Sequence, residues 1–138
     1  MSVVLDNSVA IEWLLAPDAE SKAARLVRRH VGELQVPSIF WTELTYVLGK
    51  YVKRGRIDRP FRDRCLQQVR RLDPVTDLDT ATPGSSLDRA QSLGDQYGLT
   101  IYDAVYLELA LRSRARLATF DGELAEAARS LGVEVVDA

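Results

Sequence analysis

Four carboxylates stand where ordinary packing does not call for them. Asp6 ends the apolar run Val3-Val4-Leu5, and Asp121 closely follows Arg116-Leu-Ala-Thr119. Both fall at or just after the carboxyl end of a predicted strand, the edge at which open α/β sheets bind ligands. Asp103 precedes Tyr106, Leu107, Ala110 and Leu111 at helical spacing, so an acid leads an apolar stripe. Glu43 lies in the first turns of a helix expected after Ser38, beside Trp41 and Leu44. Each has a plainer reading. Asp121 before Gly122-Glu123-Leu124 fits a helix N-cap. Thr100 and Asp103 fit a capping box, and Glu43 suits the positive end of a helix. Asp6 is harder to read as a cap, because Asn7 and Ser8 would serve equally well.

Taken together, the acids define a chemistry. Carboxylates ~4 Å apart repel by ~4 kcal/mol at an effective dielectric of ~20. Three such contacts loaded on one group equal roughly nine pKa units. Protons or a hard cation must compensate, and an all-oxygen set favours Mg²⁺ or Mn²⁺ over zinc. Such a cation lowers the pKa of bound water and orients phosphate oxygens, which is the chemistry of phosphodiester hydrolysis. Competing chemistries lack parts. One cysteine, Cys65, and one histidine, His30, leave the usual Cys/His zinc sites without ligands and permit no internal disulfide. A Ser/His/Asp triad would depend on His30 alone, which reads as a surface residue within Arg28-Arg29-His30. Cys65 reads as a small core residue.

The elements that must position these acids follow from hydrophobic periodicity. Val3–Leu5 reads as a strand, and after Asp6 the pattern turns helical with Val9, Ala10, Trp13 and Leu14. A second helix spans roughly 19–31, and Leu34–Val36 is a strand closed by Pro37 and a Ser38 cap. Leu44, Val47, Leu48, Tyr51 and Val52 form one stripe, ending near Gly55. Asp58-Arg-Pro60 opens the next helix, along which Phe61, Cys65, Val69 and Leu72 recur. Pro74 confines the following strand to an edge, and Asp77–Ser86 reads as a connection. Helices over Ser86–Tyr97 and from Thr100, a strand at Arg116–Thr119, a helix after Asp121 and a last strand at Gly132–Val136 complete the chain. Short apolar strands alternating with helices predict a single α/β domain over residues 1–138, with a mainly parallel sheet covered on both faces.

Composition agrees: with 46% apolar and 28% charged residues, the chain is neither disordered nor fibrous. Its net charge of -2 is unevenly spread, because Lys50 to Arg71 holds nine cations against two acids. That split suits a cationic surface for a polyanion beside an anionic pocket. Asp6 and Glu12 interrupt the first apolar run before it could serve as an export signal or membrane span. A cytoplasmic protein with no membrane partner is expected. Trp13, Trp41, Tyr51 and Phe61 fall on helical stripes and read as core or interface residues.

In order and spacing, Val3-Val4-Leu5-Asp6-Asn7-Ser8, Val36-Pro37 with Glu43 downstream, Leu99-Thr100-Ile101-Tyr102-Asp103-Ala104 and Ala118-Thr119-Phe120-Asp121 resemble the PIN domain. Within it, they resemble the small VapC-type ribonuclease toxins of toxin–antitoxin pairs. The resemblance covers nearly the whole chain. It implies a three-layer α/β/α fold with about five strands in the order 3-2-1-4-5. It further implies that Asp6, Glu43, Asp103 and Asp121 form an acidic quartet binding Mg²⁺, with Mn²⁺ as a substitute, and that Ser8 and Thr119 are supporting hydroxyls. The implied activity is Mg²⁺-dependent endonucleolytic hydrolysis of RNA. The implied partners are a VapB-like antitoxin and a second copy in a homodimer. The chain departs from the pattern at Tyr46, three residues after Glu43, where relatives often carry Asn. Two rival readings are a receiver-like Mg²⁺-binding signalling domain and a catalytically silent interaction module. The single acid after the first strand and the absence of lysine from the final third disfavour the receiver.

Overall fold

The computed structural model describes residues 1–16 and 18–136, so Pro17, Asp137 and Ala138 of the expected domain lie outside the described residues. Its elements run β1 (Val3–Leu5), α1 (Asn7–Leu15), α2 (Lys22–His30), β2 (Leu34–Pro37), α3 (Ile39–Lys53), α4 (Arg59–Leu72), β3 (Val75–Asp77), α5 (Ser85–Tyr97), α6 (Ile101–Ser113), β4 (Arg116–Ala118) and α7 (Gly122–Ser130). All pairings in the sheet are parallel, in the order β3-β2-β1-β4. This is the expected α/β class. Val3, Val4 and Leu5 are wholly buried, as a central strand covered on both faces requires. Register pairs Leu5 with Ala118, which sets the ends of β1 and β4 side by side and with them Asp6 and Thr119.

The fifth strand is shorter than expected. Gly132, at a φ of 78°, ends α7 in a left-handed turn, and Val133 N–H still bonds to Ala128 O. Val135 makes one parallel bridge to Leu117, through Leu117 N–H to Glu134 O at 2.9 Å and Val136 N–H to Leu117 O at 2.8 Å. Among the described residues the sheet has four strands, with a single bridge where the fifth would stand.

Two local expectations also change. Ser38 occupies the N-cap position of α3 but makes no side-chain cap bond; its φ of -56° and ψ of -34° are already helical, unlike the extended backbone of a capping residue. Asp58 does cap α4, accepting from Phe61 N–H at 2.8 Å. His30 is buried, not on the surface, because it completes the inward stripe of Ala23, Leu26 and Val27; its Nδ1 meets Glu33 Oε2 at 3.1 Å.

Helix α6 is the central prop of the fold, buried continuously from Ala104 to Ala110. Helix α5 packs on it closely through Gly94, where a Cβ would meet Leu99 O at 3.0 Å and Ala104 Cβ at 3.6 Å. Gly98, in the left-handed region at φ 68°, turns the chain between the two helices. Asp103 is thereby placed at the amino end of α6.

Segment 77–86, expected to be a plain connection, is clamped at its start. Arg112 Nη1 and Nη2 donate to the Asp77 carboxylate at 2.9 and 2.7 Å, and Nη1 also reaches Asp79 Oδ2 at 3.1 Å. The same guanidinium donates to Glu108 at 2.8 and 2.9 Å.

Candidate active site

Asp6 is 5% exposed between β1 and α1. It does not cap α1; its Oδ2 accepts from Ser8 Oγ at 2.6 Å and Thr119 Oγ1 at 2.8 Å. Each hydroxyl is fixed in turn by a backbone donor: Phe120 N–H reaches Ser8 Oγ at 3.0 Å, and Asp121 N–H reaches Thr119 Oγ1 at 3.0 Å. A backbone N–H leaves the hydroxyl's proton to point at Asp6. Asp6 N–H to Ala118 O, 2.9 Å, ties the same two strand ends. Burial raises the Asp6 carboxyl above its ordinary value, against the lowering effect of Ser8 and Thr119.

Glu43 enters from α3, half-buried. Its Oε1 accepts from Tyr106 Oη at 2.8 Å and Asn7 Nδ2 at 3.2 Å. Burial raises its carboxyl, and Asp6 adds repulsion. Asn7 and Tyr106 were not singled out from sequence. Tyr106 reads as apolar because its ring completes the α6 core, but a buried tyrosine hydroxyl needs a partner, and its place three residues after Asp103 was the available signal. Asn7 Nδ2 also contacts Tyr106 Oη at 2.9 Å and Phe40 O at 3.2 Å, leaving Asn7 Oδ1 buried without a partner among the described residues.

Asp103 is also held above its ordinary value. Its carboxyl is pushed up to about 6, first by burial and then by Asp121, Asp6 and Glu43 in that order. Acids from four separate segments thus act on one another. The capping readings hold as well: Thr100 Oγ1 accepts from Asp103 N–H at 3.2 Å, and Asp121 Oδ1 accepts from Leu124 N–H at 3.0 Å. The cap bond uses one oxygen of Asp121, and the Thr100 side chain partly offsets the rise of the Asp103 carboxyl. Among the described residues, no three Asp, Glu, His or Cys side chains gather closely enough to enclose one ion.

A groove of about 520 Å³ opens beside the acids between α1 and α3, lined by Asn7, Ser8, Ile11, Leu15, Val47 and Tyr51. Val47 and Tyr51, expected on the buried stripe of α3, instead face this groove. A second concavity, of about 460 Å³, lies away from the acids and holds Arg89, Glu108 and Arg112, whose charges are paired with one another. No helix among the described residues is long and apolar enough to cross a membrane.

Comparison with known proteins agrees with this architecture. The chain is 29% identical over 126 residues to Ribonuclease VapC3 of Pyrobaculum aerophilum, spanning 91% of this chain and 94% of that one. Its fold is similar to the crystal structure of PAE2754 from Pyrobaculum aerophilum, with a TM-score of 0.74 at 24% identity, covering 99% of this chain and 84% of the other. It is also similar in fold to a chain of a toxin-antitoxin complex from Klebsiella pneumoniae, with a TM-score of 0.67 at 20% identity over 98% and 96% of the two chains. The sequence pattern of the PIN domain matches residues 3–130, and the chain belongs to the PIN domain family.

Proposed function

We propose that this protein is a Mg²⁺-dependent endoribonuclease acting as the toxin of a toxin–antitoxin pair, with Asp6, Asp103 and Asp121 holding the ion and Glu43 positioning it or its water. The observation that carries this reading is the mutual repulsion of acids from four separate segments, centred on Asp103. The donor set fits the ion. Mg²⁺ takes one or two carboxylates directly and can reach the others through its waters, so acids too far apart to enclose it can still hold it together. Asn7 Oδ1, buried and unpartnered, is a further acceptor beside them.

When bound, Mg²⁺ supplies a water of lowered pKa and an electrostatic clamp for phosphate oxygens. The chain's own groups prepare the site. Ser8 and Thr119 hold Asp6 Oδ2, and Tyr106 and Asn7 hold Glu43 Oε1, so neither carboxylate must reorganise when a substrate arrives. The nine cations of Lys50 to Arg71 supply the surface for an RNA backbone.

Three further parts of the reading come with the VapC-type resemblance, the first supported by the toxin–antitoxin complex of similar fold. A VapB-like antitoxin lies in the groove beside Asn7 and Ser8 and obstructs the acids. The toxin forms a homodimer, and it acts in the cytoplasm, where its RNA is. Membership of the PIN domain family retires the receiver-like reading. The silent-module reading draws on the cap bonds of Asp121 and Thr100, yet capping does not require Asp6, Glu43 and Asp103 to be destabilised together.

The test is cleavage of total RNA with added Mg²⁺ or Mn²⁺. Activity is expected with either ion, with loss on chelation and a fall of at least about a hundredfold in Asp6→Asn. Activity that persists in the chelated sample overturns the mechanism. An inert wild type whose melting temperature is unmoved by either ion leaves the silent module standing.

A further inference from the structure

We propose that Tyr46 and Lys50 form a stacking shoulder beside the candidate site, which selects an unpaired nucleotide of the RNA strand. The inference rests on the ribonuclease reading above and names the form of RNA that the site takes.

Glu43, Tyr46 and Lys50 rise along one face of α3 at intervals of three and four residues, so the ring stands one turn from the Glu43 carboxylate. The opposite face is anchored by buried Phe40, Leu44 and Leu48, which holds that row rigid. Tyr46 is 65% exposed, among the most exposed of the large hydrophobic side chains. The Lys50 ammonium lies 5.3 Å from its ring centroid. A tyrosine left in water beside an acidic cleft, with a cation against its face, presents an aromatic surface and a phosphate-binding charge to the same ligand.

The pairing recurs along the basic arm. Arg56 stands 5.8 Å from the Tyr51 centroid, and Arg64 stands 5.7 Å from the Phe61 centroid. All three pairs fall within or just before the segment that carries nine cations against two acids. Tyr51 and Phe61 are half-buried, Phe61 against the core, whereas Tyr46 stands open, so the arm offers cations for phosphates and Tyr46 the face for a base. A duplex keeps its bases inside, so its strands offer the arm phosphates but no base face for Tyr46. Duplex and single strand should therefore differ at Tyr46 and agree at the surrounding cations.

The test measures binding by fluorescence anisotropy in chelator, using Asp103→Asn protein with a labelled unstructured oligoribonucleotide and, separately, a blunt RNA duplex. Adding Tyr46→Ala is expected to weaken the single strand about tenfold or more and to leave the duplex unchanged. Tyr46→Phe, which keeps the ring, should restore binding. In otherwise wild-type protein, Tyr46→Ala should raise KM far more than it lowers kcat. Equal losses for both RNAs, or no loss for either, overturn the proposal; so does a Tyr46→Ala effect confined to binding of an antitoxin segment. If wild-type protein cleaves no RNA, the ribonuclease reading fails, while the anisotropy comparison still decides the role of Tyr46.

Discussion

Asp103 combines two demands that pull in opposite directions. Its N–H closes the first turn of α6 against Thr100, fixing its backbone, while its carboxyl is held among Asp121, Asp6 and Glu43 and pushed up to about 6. A carboxyl raised above its unfolded value favours the fold only when protonated. Its contribution is complete below the ordinary carboxyl range and is lost as pH rises through about 6. Asp6 and Glu43 shift in the same direction. The metal-free protein should therefore lose thermal stability as pH rises from about 4 to about 6, and Asp103→Asn should flatten that slope. Saturating Mg²⁺ should reverse it, since the ion binds the ionised acids. Calorimetry across this range with and without Mg²⁺ decides the matter, and a flat profile in metal-free wild type removes the electrostatic argument. Sequence pattern located these acids because an acid that ends an apolar strand or leads an apolar helix is conspicuous. It passed over Asn7 and Tyr106, whose polar ends contact Glu43 while the rest of each side chain is buried.

At the scale of elements, α6 holds the arrangement in register from both ends. Its amino end presents Asp103, and its carboxyl half carries Glu108, only 2% exposed, tied to Arg112 one turn on. Arg112 also binds Asp77 at the end of the edge strand β3, and those hydrogen bonds raise the guanidinium above its ordinary value. One side chain thus joins the central helix to the sheet's outer edge. Arg112→Leu should cost roughly 3 kcal/mol, because Glu108 would stay buried with only the longer contact to Arg89, 3.5 Å. Glu108→Gln placed in the Arg112→Leu background should recover part of that loss, as measured by urea unfolding; additive losses would mean that the pair is uncoupled. Periodicity made the four strands and their flanking helices legible, including the edge position that Pro74 imposes on β3. It overextended the last strand, because an apolar run such as Val133 to Val136 does not reveal how much chain the preceding turn consumes. The Arg112 clamp was invisible for a related reason: its partners lie 4, 33 and 35 residues away, a spacing with no local signature.

Across the whole molecule, charge is divided between an acidic site and a basic arm built from the end of α3 and from α4, which leaves a net charge of only -2. A polyanion approaching such a surface meets attraction along the arm and repulsion at the acids unless a cation lies between them. Affinity should then come mainly from the arm and be released by salt, while chemistry waits on the metal. Lys53 and Arg54, at the exposed end of α3, make no ion pair among the described residues and test this division without touching the acids. Each phosphate left without its cation should reduce the slope of log affinity against log salt by about 0.7 for a single strand. Lys53→Gln with Arg54→Gln should therefore lower the slope's magnitude by about 1.4. The maximal cleavage rate at saturating RNA should stay near that of wild type. An unchanged slope would move the RNA path off the arm; a fall in maximal rate with an unchanged slope would instead make these cations part of the chemistry, and the separation of holding from cutting would be lost.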